Sequence, residues 1–203
     1  SSAASDVYKR QAQEAHDAHE LAAKLRLEGK GAEAADVEKL ASMLDTAAEQ
    51  KLQVEGMEKE KEAKQDLKEA AEVGHAAAGK LKEEGCEDLA VVVEEVARTV
   101  EHVGGGGQMS VEELEGVLGE ARAAAVKLRA KGKEEEAAEV DKMVVKLEAA
   151  VGAQREAEQR RQEAGLAHAE AEVAEQAAEV ARVAEEVSAE LEAAGCGEEA
   201  AKV

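Results

Sequence analysis

The stretch that decides the fold is residues 24–48, KLRLEGKGAEAADVEKLASMLDTAA. Its apolar residues recur three or four positions apart on either side of a polar, glycine-containing segment at 28–31. That spacing is typical of amphipathic α-helices, and the glycines predict a turn between them. The stretch therefore predicts a helical hairpin.

The same pattern recurs later in the chain. Residues 127–151, KLRAKGKEEEAAEVDKMVVKLEAAV, match residues 24–48 without gaps at an offset of 103. A second block, residues 63–81, matches residues 173–191 at an offset of 110. The two offsets differ by one heptad, an insertion that lengthens a helix and leaves its apolar stripe in phase. The pattern predicts an internally duplicated helical unit.

A duplication should place matched positions in similar surroundings, so we expect the matched apolar stripes to be buried alike. The first matched set is Val37, Leu40, Leu44 and Ala47 with Val140, Met143, Leu147 and Ala150. The second is Ala63, Leu67, Ala70, Gly74, Ala77 and Leu81 with Val173, Ala177, Val180, Ala184, Val187 and Leu191. We expect the polar stretches at 58–64 and 155–161 to be largely exposed.

The composition favours an all-α protein. The 203 residues include no Pro, and Ala, Glu, Lys, Leu, Arg and Gln, which are good helix formers, dominate. A formal net charge of -21 and few bulky apolar residues would also fit a disordered chain. A disordered chain, however, has no reason to keep a helical period. We therefore expect folded helices around a core of Ala, Val and Leu.

The composition also argues against two classes of partner. Phosphate recognition depends mainly on Lys and Arg, which number 26 against 47 Asp and Glu. Base stacking needs aromatic side chains, and Tyr8 is the only aromatic residue. No apolar run approaches the roughly 20 residues of a membrane span. We expect no nucleic-acid partner and no transmembrane segment.

Further glycine-containing turns organise the chain. They lie at 85–87, 104–110, 131–133 and 195–197. The predicted fold is elongated and consists of tandem helical hairpins, antiparallel coiled-coil-like or α-solenoid-like. It is divided into two homologous halves, 1–103 and 110–203, joined by a Gly-rich segment at 104–109.

Two helices are predicted to be unusually long. The stretches 33–84 and 133–194 contain strong helix formers and only isolated glycines, which favours one continuous helix in each. The alternative is eight shorter helices, with breaks at Gly56, Gly152 or Gly165. Another helix should begin after Ser110, which forms a capping-box pattern with Glu113.

The ends of the sequence carry their own expectations. Residues 1–11, SSAASDVYKRQ, resemble translated sequencing-adaptor sequence and are expected not to be native. Residues 198–203 resemble the beginning of the helix predicted after Cys86 and stop inside it. We therefore expect the chain to be a fragment of a longer helical repeat protein.

Two histidine pairings are the candidates for a metal site. His16 and His19 lie three residues apart among carboxylates, a spacing that places both on one helical face. Glu72 and His75 have the Glu-x-x-His spacing of carboxylate-bridged di-iron bundles, but the second block does not repeat it. Solvated side chains explain both pairings more simply. We predict no metal site and no cofactor.

The cysteines and the glycine run offer no stronger signal. Cys86 and Cys196 occupy matched turns without His or Cys neighbours, so they form no zinc signature. Small-residue packing in a reducing compartment is the simplest interpretation of both. Residues 104–107 lack the preceding strand and the Lys-Ser/Thr of a phosphate loop, and they are interpreted as a joint.

The favoured function is a non-catalytic helical scaffold or protein-interaction repeat. No nucleophile, base or metal ligands converge in the sequence, whereas amphipathic repeats present extended surfaces to partner proteins. One alternative is an amphipathic lipid-surface or protective protein. A second is a metal or redox helical bundle using His16 and His19 or Glu72 and His75. Homo-oligomerisation through helical faces is a further expectation.

Overall fold

The computed structural model describes the backbone of residues 2–194 and the side chains of residues 10–194. Five α-helices follow one another, and the described part of the chain contains no strand. They are α1 (Ser2–Leu27), α2 (Gly31–Glu83), α3 (Glu87–Gly104), α4 (Val111–Ala130) and α5 (Glu134–Ala193). The predicted all-α class, with consecutive helices arranged as hairpins, is confirmed.

The turns predicted at 28–31, 85–87, 104–110 and 131–133 lie where the glycines indicated, and the one predicted at 195–197 lies outside the described residues. Gly29, Gly85 and Gly132 each have a φ of 73°, a left-handed conformation that costs glycine no Cβ clash. Each turn repeats the same two bonds. In the first, the Gly29 amide donates to the Arg26 carbonyl at 2.8 Å and the Lys30 amide to the Leu25 carbonyl at 2.9 Å. This is the Schellman pattern, which satisfies carbonyls at a helix end.

The two long helices are continuous, as predicted. α2 has 53 residues and α5 has 60, so they are about 80 and 90 Å long at 1.5 Å per residue. Gly56, Gly152 and Gly165 all lie inside helices. The polar stretch 155–161 is mostly exposed, as expected, with Ala157 buried. The expectation is wrong for 58–64, where only Glu58, Lys61 and Glu62 are exposed, Ala63 is buried and the other three residues are half-buried.

The capping box at the start of α4 is also confirmed. The Glu113 amide donates to Ser110 Oγ at 3.2 Å, and the Ser110 amide donates to the Glu113 carboxylate at 2.9 Å. These bonds lower the pKa of Glu113, since they favour its charged form.

The chain divides into two compact units that each take part of α2 and part of α5. The central unit is residues 55–160, and it contains the end of α2, all of α3 and α4, and the start of α5. The terminal unit is residues 1–54 with 161–203, and its described helices are α1, the start of α2 and the rest of α5. The boundary between homologous halves predicted at 104–109 is a different kind of division and stays a prediction.

The central unit is a four-helix bundle with a conventional apolar core. Its fully buried side chains include Leu67, Leu81, Val93, Val100, Leu114 and Met143. Close helix approach depends on small residues. A Cβ on Gly74 of α2 would lie 2.8 Å from the Ala97 Cβ of α3. The core therefore combines Leu, Val and Met side chains with small residues where the helices approach closely.

The terminal unit has three described helices and a core made almost entirely of alanine. Its buried apolar residues are Ala15, Ala22, Ala34, Ala41, Ala48, Leu52 and Ala164. Apart from Leu52, the larger apolar residues described in this unit are not fully buried, and Leu40 is 54% exposed and Met43 62% exposed. Small side chains let three helices pack closely, but they bury little apolar surface.

The expectation that the matched stripes are buried alike is wrong. Val140, Met143, Leu147 and Ala150 are all fully buried, whereas Val37 and Leu44 are half-buried and Leu40 and Ala47 are exposed. The stripe at 63–81 is buried, whereas Val173 is 66% and Val180 is 70% exposed. Two additional helices, α3 and α4, supply the covering surface in the central unit. This result counts against a duplicated core, and the common origin of the two blocks stays a prediction from the sequence.

One feature of the two matched hairpins is nevertheless shared. Arg26 pairs with Glu38 across the α1–α2 hairpin, and Arg129 pairs with Asp141 at the matched positions of the α4–α5 hairpin. The two matched hairpins thus have similar contacts between their helices, although one lies in the terminal unit and the other in the central unit.

Candidate interaction groove

An open apolar groove runs along the terminal unit between α1 and the later part of α5. Its volume is about 570 Å³. The apolar lining consists of Ala23 and Leu27 from α1 with Ala174, Ala177, Ala178, Ala181 and Ala184 from α5. Alanine methyl groups are too short to fill the space between two helices here. The result is a groove with smooth helical walls.

A tightly held ion pair forms part of the polar lining of the groove, which also includes His19, Glu185 and Ser188. The Arg26 guanidinium donates to the Glu38 carboxylate at 2.6 Å and to the backbone carbonyl of Ala178 at 2.6 Å. Only 10% of the Arg26 side chain and 19% of the Glu38 side chain is exposed. One arginine therefore connects α1, α2 and α5, and both of its charge-assisted bonds are well formed.

Beside the groove, α5 exposes a regular apolar stripe. We define the α5 stripe as Val173, Ala177, Val180, Ala184 and Val187, which are spaced alternately by four and three residues. Its three valines are 40–70% exposed. Ala177 and Ala184 also line the groove. The groove and the α5 stripe therefore form one continuous apolar surface, of the size and pattern that another helix covers in a coiled coil.

The stripe predicted on α5 differs from the packed one by one position over most of its length. Between residues 171 and 191 the half-buried residues are Ala171, Ala174, Ala178, Ala181 and Ser188, together with Ala184 and Leu191 of the predicted stripe. Both series have heptad spacing, and the valines are the more hydrophobic series. Sequence alone favoured the valines as core, whereas in the structure the alanine series faces α1 and α2, and its members Ala174 and Ala181 line the groove beside α1.

Carboxylates border the α5 stripe on its outer edge. Glu172, Glu179 and Glu186 each precede one of the stripe valines and recur every seven residues. Arg182 lies beside this row, with bonds of 2.6 Å to Glu179 and 2.8 Å to Glu186. The pKa of Glu179 is lowered by its hydrogen bond from Arg182, so the carboxylate stays ionised.

The charge around the stripe is strongly unbalanced. Residues 166–193 contain eight Glu and one Arg. The sequence-matched part of α2, residues 56–83, contains seven acidic residues and six Lys. The exposed face of α5 therefore has an acidic border, whereas the covered face of α2 has a nearly neutral one.

The histidines at the start of the chain do not gather metal ligands. His19 Nε2 lies 2.9 Å from Asp45 Oδ2 and links α1 to α2, while His16 lies 3.6 Å from its own helical neighbour Glu20. A separate small cavity of about 120 Å³ is lined by both histidines together with Asp45 and Glu170. Within residues 10–194, no group of three or more His, Cys, Asp or Glu side chains could hold a metal ion.

The Glu72 and His75 pairing is not assembled into a site. Glu72 is exposed on α2. His75 instead faces α3, with Nδ1 at 3.4 Å from Glu94 and Nε2 at 3.3 Å from Glu101. These contacts join two helices at the surface of the central unit.

The cysteine turn and the glycine run have structural positions. Cys86 is half-buried before α3, packs against the central core, and its amide donates to the Leu81 carbonyl at 2.8 Å. Cys196 lies outside the described residues. Residues 104–107 end α3 and begin the turn to α4 within the central unit.

No helix in the described part of the chain is long and apolar enough to cross a membrane. A scan against protein-family models found no match, and searches of curated proteins and of solved structures found none either.

Proposed function

We propose that this protein is a non-catalytic helical interaction module whose terminal unit binds an amphipathic helix of another protein. The observation that carries the proposal is the continuous apolar surface formed by the groove and the α5 stripe. Helix-in-groove recognition uses anchors spaced by three and four residues, which is the spacing of the α5 stripe.

The energetics favour an occupant. Fully burying a valine side chain contributes about 1.5 kcal/mol or more, so covering three valines that are 40–70% exposed stabilises a complex by a few kcal/mol. Because the alanine-lined groove is already formed, its helices need little rearrangement before binding, which lowers the entropic cost.

A lipid surface is the rival occupant of the same stripe. Amphipathic helices that bind membranes usually carry Lys and Arg beside the apolar face. The α5 stripe has glutamates there, and anionic lipid headgroups would be repelled. The charge pattern therefore favours a protein partner.

Selection from a library of displayed amphipathic helices tests the proposal. We expect heptad-patterned helices to be enriched on the full chain and to bind less well to Ala177→Gln, which lengthens one exposed side chain in the groove. Ala149→Gln is the matched control, because Ala149 is an exposed alanine of α5 in the central unit. Failure to enrich any helix, or equal binding to Ala177→Gln, would overturn the proposal.

A further inference from the structure

The central unit shows what covers the matched stripe of α2. Helix α3 packs on it beside α5, and a Cβ on Gly74 would lie 2.8 Å from the Ala97 Cβ of α3. The α3 residues that enter the core include Val93, Ala97 and Val100, which recur at three- and four-residue spacing. A stripe of this pattern is therefore covered by a helix with its own narrow apolar stripe.

The covered face of α2 and the exposed face of α5 differ in charge, so the helices that pack against them should differ in charge as well. The α2 face supplies its own lysines, and an acidic helix can lie against it, with Glu94 and Glu101 of α3 facing His75. The α5 face supplies eight carboxylates and one arginine between residues 166 and 193. A helix that covers the α5 face must bring the positive charge itself.

A second copy of this chain is a poor occupant for the same reason. The chain has a formal net charge of -21. Pairing two α5 stripes would place the Glu172, Glu179 and Glu186 row of each copy beside another acidic helix. Like charges across such an interface oppose association.

We infer that the partner of the α5 stripe is a basic amphipathic helix, a refinement that rests on the proposed function. Its apolar side chains lie against Val173, Val180 and Val187. Its Lys or Arg side chains recur every seven residues and pair with Glu172, Glu179 and Glu186. Arg182 already bonds to two of these carboxylates, so the incoming cations share them with it.

Three synthetic helical peptides with one apolar stripe and different flanks test this inference. The flanking positions carry Lys/Arg, Gln or Glu, and fluorescence anisotropy measures each Kd on the full chain. We expect the basic peptide to bind about tenfold more tightly than the Gln peptide at 50 mM NaCl, because each exposed pair contributes only a fraction of the total. We expect that difference to shrink at 500 mM NaCl through screening.

Two sets of variants locate the binding. Val173→Ser with Val180→Ser should weaken all three peptides, and Val145→Ser, at a valine of α5 that is 61% exposed in the central unit, is the matched control. Glu172→Gln, Glu179→Gln and Glu186→Gln together should remove the preference for the basic peptide. Gln at the exposed Glu95, Glu120 and Glu135 is the control for total charge.

The outcomes separate the two proposals. Equal binding of the basic and Gln peptides would overturn the charge inference and leave the helix-binding function standing. If no peptide of any charge binds, both are wrong. Co-sedimentation with phosphatidylserine–phosphatidylcholine vesicles that Val180→Ser abolishes would overturn both in favour of a lipid surface. A dimer in sedimentation equilibrium that Val180→Ser dissociates would assign the stripe to a second copy.

Discussion

The central and terminal units use the same two long helices and differ in what surrounds them. In the central unit, α3 and α4 complete a four-helix bundle, so Leu, Val and Met side chains reach full burial. In the terminal unit, α1 alone joins α2 and α5, and mostly alanine is buried. Stability should therefore be concentrated in the central unit, while the terminal unit leaves apolar surface exposed.

The largest expected difference between the units is at two matched leucines. Leu81 is fully buried in the central unit, whereas Leu191 is half-buried in the terminal unit. Leu81→Ala should lower the free energy of unfolding by about 2–5 kcal/mol, as large-to-small changes in packed cores do, and Leu191→Ala by at least about 1 kcal/mol less.

Urea denaturation of the two leucine variants measures this difference, with the exposed Glu58→Ala as the control near zero. Equal losses for the two leucines would contradict the contrast drawn between the units.

A smaller loss of stability is expected at the two matched arginines. Here the larger loss is expected in the terminal unit and the smaller one in the central unit. Arg26 is 10% exposed and Arg129 is 45% exposed at its side chain. Arg26→Met should cost about 1–3 kcal/mol, because it leaves the mostly buried Glu38 carboxylate without its cation and removes the bond to the Ala178 carbonyl. Arg129→Met should cost less than about 1 kcal/mol, since exposed pairs contribute little.

Thermal or urea unfolding of the two arginine variants provides the comparison. If Arg129→Met lowers the free energy of unfolding as much as Arg26→Met does, the buried Arg26 bonds contribute no more stability than an exposed ion pair.

Replacing either of two helical glycines by alanine should change the free energy of unfolding, but in opposite directions. A Cβ on Gly74 would lie 2.6 Å from the Met143 sulfur, while a Cβ on Gly165 in the terminal unit meets nothing within 4 Å. Gly74→Ala should destabilise the protein by about 1–2 kcal/mol through overpacking. Gly165→Ala should stabilise it by about 0.5–1 kcal/mol through helix propensity. Urea midpoints measure both changes. If Gly74→Ala and Gly165→Ala move the midpoint in the same direction, the packing around the two glycines does not differ as the structure indicates.

The smallest effect concerns ion pairs between α2 and α5 in the central unit. Lys146 lies 2.5 Å from Glu69 and 3.3 Å from Asp66. Its hydrogen bond lowers the pKa of Glu69, and the same contact raises the pKa of Lys146. The carboxylate contribution is present above the ordinary Glu pKa and is lost as pH falls through the lowered value. The lysine contribution is lost only as pH rises through the raised value.

The difference in stability between the parent chain and Lys146→Met should therefore be level between about pH 5 and pH 10 and vanish in acid. Urea midpoints across pH test this, with Lys131→Met as the exposed control. A difference that persists unchanged below pH 3 would indicate that lost aliphatic packing, rather than charge, accounts for the effect.

Local features of the fold were predictable because their causes are local. The left-handed glycines, the capping box at Ser110 and Glu113, and the unbroken helices through Gly56, Gly152 and Gly165 all depend on residues a few positions apart. The charge row beside the α5 stripe is also readable from the sequence, since Glu172, Glu179 and Glu186 share a seven-residue period.

The groove was not predictable from the sequence. α5 carries two heptad series side by side, one of valines and one of alanines, and hydrophobicity alone selects the valines. Which series is buried depends on the helices that α5 meets, and only the tertiary structure places α1 and α2 against Ala174, Ala178 and Ala181. By itself the sequence determined the class, the helices and the turns of this protein, because those follow from propensity, periodicity and caps. The tertiary structure decided which stripe is core and which is surface, because burial is a property of neighbours.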